Sequence, residues 1–158
     1  MKIDSHLGQS NADRLPCLRP LVIIGAGGHA VSVANVAQSA GYTIKNFVDK
    51  NKKGLDLLGV QILGDVGDLG SLDIFSFGIA IGDNALREQV YKELQVKGAG
   101  LDFPPLVHAS ATICSFARIG KGTVVMPKAV VGPGSIVGEF CLINTQAAID
   151  HGCVMLDF

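Results

Sequence analysis

Two hydrophobic rhythms run along the chain, and they change near residue 104. In the first stretch, short apolar runs alternate with segments whose apolar positions recur at helical spacing. Leu21 to Ile24 is an apolar run leading into the glycine cluster Gly25-Ala26-Gly27-Gly28. His29 to Ala40 carries apolar positions at Ala30, Val33, Ala34 and Ala37, which predicts a helix with Gly41 as its stop. Ile44 to Val48 predicts a second strand ending at Asp49, and Val60 to Leu63 a short third one. Ile74 to Ile81 reads as the strongest strand, closing on Gly82-Asp83-Asn84. Asp83 or Asn84 can cap a helix bearing Leu86, Val90 and Leu94 every fourth residue, ended by Gly98. Strands alternating with helices predict a parallel sheet with right-handed crossovers.

The second rhythm has a period of six. From Val107 an aliphatic residue or methionine returns at Ile113, Ile119, Val125, Val131, Val137, Ile143, Ile149 and Met155 without a miss. Four positions after each comes a small residue: Ala111, Ala117, Thr123, Ala129, Ser135, Cys141, Ala147 and Cys153. Neither the helical period nor simple alternation gives this spacing. A hexapeptide period predicts a β-helix, in which each unit supplies one short strand and one corner of a stacked coil. The aliphatic residue points into the prism and the small one fits the corner.

The fold class is therefore α/β plus β. A small Rossmann-like parallel-sheet domain (residues 21–104) is followed by a parallel β-helix (105–158) of about three coils, after a polar lead-in (1–20). Composition agrees with this division. Of 158 residues, 48% are hydrophobic, 6% aromatic and 20 are glycine, with no tryptophan. That suits many tight turns around a narrow aliphatic core. A net charge of −1 leaves no basic excess for a phosphate backbone, so no nucleic-acid partner is expected. No apolar run approaches the roughly 18 residues of a membrane span, and residues 1–20 lack the apolar core of a signal peptide. Cys17, Cys114, Cys141 and Cys153 show no metal-ligand spacing. A cytoplasmic protein with reduced thiols and no metal is the expectation. Cys141 and Cys153 fall in the small inward slot and read as core packing.

The turn after the first strand fits G-x-G-x-x-A through Gly25, Gly27 and Ala30, with Asp49 at the end of the second strand. Backbone N–H groups at a helix N-terminus stabilise anionic phosphate, and an acid at the second strand can meet a ribose hydroxyl. A nucleotide-containing ligand follows; the competing reading is a turn that only lets helix and sheet pack closely. The first stretch is too short for a complete two-lobed NAD fold, so an NAD module ranks last.

The run LVIIGAGGHA, NFVDK, AIGDNALRE, LVHASA and INTQAAIDHGCV resembles the sialic-acid O-acetyltransferase and nucleotide-sugar N-acetyltransferase family (NeuD/PglD type), over nearly everything after residue 20. The resemblance implies a left-handed β-helix of hexapeptide-acyltransferase type. It also implies acetyl-CoA as co-substrate, a UDP-amino sugar or sialic acid as acceptor, bacterial surface-glycan synthesis and a homotrimer. His151 stands where that family has its general base, a role that suits an imidazole titrating near working pH. Gly25, Gly27, Gly28, His29, Asp49, Lys50, Gly82, Asp83 and Asn84 fall where the family meets its nucleotide sugar. Each has a plainer reading: His29 as a solvated first-turn residue, Asp49-Lys50 as a polar turn, Gly82-Asp83-Asn84 as helix capping. His108 reads as structural.

Two departures stand out. The acidic residue that some members place after the histidine is Gly152 here, and Asp150 precedes His151 on a strand whose neighbouring side chains point apart. Family β-helices also continue for several coils past the histidine motif, whereas this chain stops at Phe158. The expectation is a C-terminally truncated acetyltransferase. The alternative is a non-catalytic protein that binds a nucleotide sugar and trimerises.

Overall fold

The computed structural model describes residues 18–98 and 100–158. The lead-in, with Cys17, lies outside the described residues except for its last three positions. Strand β1 (Leu21–Ile24) is buried throughout and sits inside a five-stranded sheet. It pairs in parallel with β2 (Ile44–Val48) on one side and β5 (Ser76–Ile79) on the other. Beyond β2 lies β4 (Val60–Leu63), parallel to it, and at the edge β3 (Asp56–Leu57), which runs antiparallel to β4. The order is β3-β4-β2-β1-β5.

Strand β5 is shorter than the apolar run predicts. Leu72 and Phe75 close a turn, with the Phe75 amide donating to the Leu72 carbonyl (3.2 Å), and this leaves Ile74 exposed. The antiparallel hairpin of β3 also lies outside the predicted pattern. A strand of two residues carries no periodicity to read.

Helix α1 (Gly28–Ser39) buries Ala30, Val33, Ala34, Val36 and Ala37. Its C-terminus closes as a Schellman motif: the Tyr42 amide reaches the Ala37 carbonyl and Gly41, in the left-handed region, reaches Gln38. Helix α2 (Asn84–Lys97) starts at Asp83, whose carboxylate accepts the Leu86 amide at 2.8 Å. Of its apolar row, Leu94 is buried, Val90 half-buried and Leu86 exposed. Arg87, one position on, is buried instead.

From Leu106 the chain forms nine two-residue strands stacked in three parallel sheets, the left-handed β-helix. One face stacks β6 (Leu106–Val107), β9 (Val124–Val125) and β12 (Leu142–Ile143). The next stacks β7 (Thr112–Ile113), β10 (Val130–Val131) and β13 (Ala148–Ile149). The third stacks β8 (Arg118–Ile119), β11 (Ile136–Val137) and β14 (Val154–Met155). The second residue of each strand is the period-six aliphatic, and these residues form one cluster inside the prism. Burial is deepest in the middle coil, where Val125, Ala129 and Val131 are fully enclosed, because only that coil is covered on both sides.

A second period-six feature appears only in three dimensions. Phe116, Gly122, Lys128, Gly134, Phe140, Gln146, Gly152 and Phe158 all have φ between 54° and 70°. Each coil turns its corner through the left-handed region, which costs an L-residue about 1–2 kcal/mol. Gly152 is therefore a corner glycine, and an acidic residue in its place would carry that strain.

The two parts share their cores. Outward-facing Leu106 and Val124, with Met126, pack against Ala30, Val33 and Ala37 of α1, joined by the partly buried Leu142. On the opposite face of the sheet, Phe140 and Phe103 pack with Phe77, Ile79 and Leu94. The small residues of α1 let a coil approach the helix closely. No helix among the described residues is long and apolar enough to cross a membrane.

Candidate functional site

The strands of a parallel sheet deliver their following loops to one edge, and here the loops after β1, β2, β4 and β5 surround a cleft of about 530 Å³. Its floor is Ile24, Val48 and Ile81; its rim carries Gly25, Gly27, Asp49, Lys50 and Asp65; α2 closes one wall with Gln89, Val90 and Glu93. Gly25 is required twice over. Its φ is +102°, and a Cβ there would stand 3.0 Å from the Ala80 carbonyl oxygen. Gly27 and Gly28, by contrast, face open space. Gly27 caps α1 with no side-chain hydrogen bond, so the first amides of the helix stay available to an anion.

Asp49 holds this loop. Its carboxylate accepts the Ala26 amide (3.2 Å) and the Asn51 amide (3.0 Å), so the acid after β2 shapes the glycine turn as well as rimming the cleft. Lys52 completes the clamp by donating from Nζ to the Ala26 carbonyl at 2.7 Å. Nothing in the sequence singles out Lys52, which lies in a run of polar residues. Lys97, at the end of α2, pairs with Asp65 across the cleft wall, and Asp65 is held below the usual carboxylate range chiefly by that hydrogen bond.

The remaining candidates do not line this cleft. His29 is half-buried on the first turn of α1, and its pKa lies below the ordinary value because burial, and then the nearby Arg87 charge, disfavour the imidazolium. The plainer reading of His29 as a solvated first-turn residue fits only the half of the side chain that stays exposed. Gly82, Asp83 and Asn84 form the turn between β5 and α2. Asp83 caps the helix, while the Gly82 carbonyl (3.1 Å) and Asn84 Oδ1 (2.7 Å) accept hydrogen bonds from the Arg87 guanidinium. Arg87 is the residue that sequence reasoning misses: a charged side chain in line with Tyr91 and Leu94 carries no mark of burial in the sequence, yet it is only 3% exposed.

His151 sits away from the cleft, exposed at the corner between β13 and β14. The corner itself is firmly seated. The buried Ser135 hydroxyl donates to the Asp150 carbonyl (2.6 Å) and accepts the Cys153 amide (3.1 Å), bracketing His151 on both sides. The Gly152 amide reaches the Pro133 carbonyl at 3.0 Å. Asp150 uses its carboxylate on the His151 backbone amide (2.7 Å), so that bond does not orient the ring. His108 is tied into its own turn, with Nδ1 accepting the Ser110 amide at 3.0 Å.

Cys114, Cys141 and Cys153 are free thiols. Cys141 is buried, and burial pushes its pKa up, which makes it a poor nucleophile. Cys153, in the corresponding slot of the last coil described, is exposed, which differs from the core-packing expectation. Among the described residues no cluster of His, Cys, Asp or Glu could hold a metal ion.

Comparison with known proteins bears on both parts of the chain. The PglD N-terminal domain family profile matches residues 20–94. The acetyltransferase domain of PglB from Neisseria gonorrhoeae is 35% identical, covering 88% of this chain and 68% of that one, with a TM-score of 0.79. This chain belongs to the NeuD/PglD-type family. The gonococcal domain is also solved with acetyl coenzyme A, in a structure 34% identical to this chain over the same shares. A GDP-perosamine N-acetyltransferase from Caulobacter crescentus is 32% identical, covers 87% of this chain and 65% of its own, and has a TM-score of 0.78. It was solved as a histidine-to-alanine variant with CoA and GDP-perosamine. An uncharacterised protein of Acanthamoeba polyphaga mimivirus is 29% identical over 121 residues, 77% of this chain and 24% of that protein. The chain thus spans about a quarter of the viral protein and about two thirds of the solved family members.

Proposed function

We propose that the protein transfers an acetyl group from acetyl-CoA to the amino group, or alternatively a hydroxyl, of a nucleotide-linked sugar in bacterial surface-glycan synthesis. The observation that carries this reading is joint likeness: one relative, solved with acetyl coenzyme A, matches the glycine-loop sheet and the β-helix together at 34% identity. The cleft of about 530 Å³ has the size and the open helix N-terminus that a nucleoside diphosphate needs. Gly25, Gly27, Gly28, His29, Asp49, Lys50 and the turn Gly82-Asp83-Asn84 are the acceptor-side residues in this proposal.

His151 is the general base. Its exposed corner can receive a thioester and an acceptor from outside the coil. The imidazole takes the proton from the acceptor nitrogen or oxygen as that atom bonds to the acetyl carbon. The carbon–sulfur bond then breaks and the proton passes on to the departing CoA thiolate. The family relationship supports a homotrimer, and soluble co-substrates of this kind support a cytoplasmic site of action. The Caulobacter relative binds GDP-perosamine, which makes a GDP-amino sugar as worthy of test as a UDP-amino sugar or a sialic acid.

The test is release of CoA thiol from acetyl-CoA with UDP- and GDP-linked amino sugars and with sialic acid. Replacing His151 by Asn should lower turnover by about 10²–10⁴-fold and leave calorimetric binding of the nucleotide sugar in place. Turnover that survives the substitution would remove His151 from its role. Nucleotide-sugar binding with neither CoA binding nor turnover would select the non-catalytic alternative.

A further inference from the structure

Arg87 is a buried cation whose guanidinium makes five hydrogen bonds, four of them to neutral amide oxygens and one to the main-chain oxygen of Phe158, the last residue. Nε donates to the Phe140 carbonyl at 2.8 Å. Nη1 donates to the carbonyls of Ile81 (2.8 Å) and Gly82 (3.1 Å). Nη2 donates to Asn84 Oδ1 (2.7 Å) and to the main-chain oxygen of Phe158 (3.2 Å). Three acceptors thus belong to the turn between β5 and α2, and two to the same left-handed corner of successive coils. That second corner lies at the far end of β14, the strand that follows the His151 corner.

The junction does not need a cation to hold together. The Phe140 and Phe158 rings stack at 5.3 Å and 10°, Tyr91 lies 4.1 Å from Phe140, and Phe103 packs edge-on against both. An apolar residue at position 87 would extend that pad without the cost of removing a guanidinium from water. Arginine adds direction instead. Five bonds from one planar group fix the orientation of the turn relative to the coils, which an aromatic pad leaves free to slide.

We propose that Arg87 is a positioning residue, holding the Gly82–Asn84 turn, and the acceptor beside it, in register with the coil that carries His151. The proposal rests on the acetyltransferase reading above. Arg87→Lys keeps the charge, but a single ammonium with three donors cannot span the turn and both corners. Phe103→Leu thins the same pad and leaves the five bonds in place. Measured below their melting transitions, Arg87→Lys should lose about 10- to 100-fold in kcat, with nucleotide-sugar Kd and acetyl-CoA KM within about threefold of wild type. Phe103→Leu should lower Tm and keep kcat. An unchanged kcat in Arg87→Lys, or an equal loss in the two variants, overturns the proposal.

A second readout separates this failure from failure of the enzymatic reading. With UDP or GDP as probe, nucleotide binding should slow amide exchange at Phe140 and Phe158 in wild type. It should do so less in Arg87→Lys, or in Arg87→Gln, which also loses the five-donor fork, if the lysine variant does not fold. A wild-type protein that binds nucleotide and transfers no acetyl group overturns only the enzymatic reading when this coupling is present. Absence of the coupling in wild type overturns the role of Arg87, and binding of neither nucleotide overturns both.

Discussion

Gly132 offers the sharpest test of where the chemistry sits. A Cβ placed on it would stand 2.7 Å from the Asp150 carbonyl carbon and the His151 nitrogen, where ordinary contact begins at 3.4 Å. The shortfall of about 0.7 Å falls on backbone, which cannot swing aside as a side chain would. Gly132 has no positive φ, so alanine is compatible with its conformation and the collision alone is tested. Overpacking of this kind costs about 1–3 kcal/mol. It also lifts the His151 corner off the coil beneath by most of an ångström. A misplacement of about 1 Å can cost 10²-fold in rate, so Gly132→Ala should lower kcat by about 10- to 100-fold while still folded.

The comparison is Val125→Ala, which deletes two fully buried methyl groups from another face of the prism. At about 0.8 kcal/mol per buried carbon plus a cavity term, it should cost about 2 kcal/mol, close to the Gly132 effect. Both variants would be assayed for Tm and for CoA release at a temperature well below either transition. Selective loss of kcat in Gly132→Ala is the expected result. Equal kcat in the two variants, or a Gly132→Ala protein with wild-type rate and lowered Tm, would refute the placement of catalysis at that corner.

Other consequences follow from single contacts. Ser135→Ala strands the Asp150 carbonyl and the Cys153 amide and should cost about 1–3 kcal/mol with a fall in kcat, whereas Thr123→Val, which breaks the matching bonds to Gly138 and Cys141, should cost as much stability and spare kcat; denaturant midpoints and CoA release decide. Asp49→Asn weakens the grip on the Ala26 and Asn51 amides and should loosen nucleotide-sugar binding several-fold in calorimetry with little change in Tm. His29 binds a proton less readily in the fold than in the unfolded chain, so it leaves stability untouched well above its ordinary value of 6.5 and weakens the fold as pH falls through that value, levelling off below the folded pKa. Urea midpoints of wild type should therefore decline over that window more steeply than those of His29→Gln; parallel curves would contradict the burial of the imidazole.

Much of this molecule is written locally. A strand such as β1, buried on both faces, is an unbroken apolar run, and the coils repeat because every sixth side chain must enter the same narrow prism. Gly25 and Asp83 show in the sequence because a turn and a helix cap constrain residue type directly. The left-handed corners follow the same period of six yet hold Phe, Lys, Gln and Gly alike, so no residue type marks them. Arg87 lay further out of reach. Its acceptors at Phe140 and Phe158 are 53 and 71 residues away, and only the stacking of coils against the sheet brings those oxygens to it. In the folded chain His29 is half-buried, and His151 is exposed on the coil, outside the cleft that the glycine loop forms. Periodicity determined what each part is, because it reflects burial within one element. How the parts meet was decided by the tertiary structure, because contacts between distant segments leave no period behind.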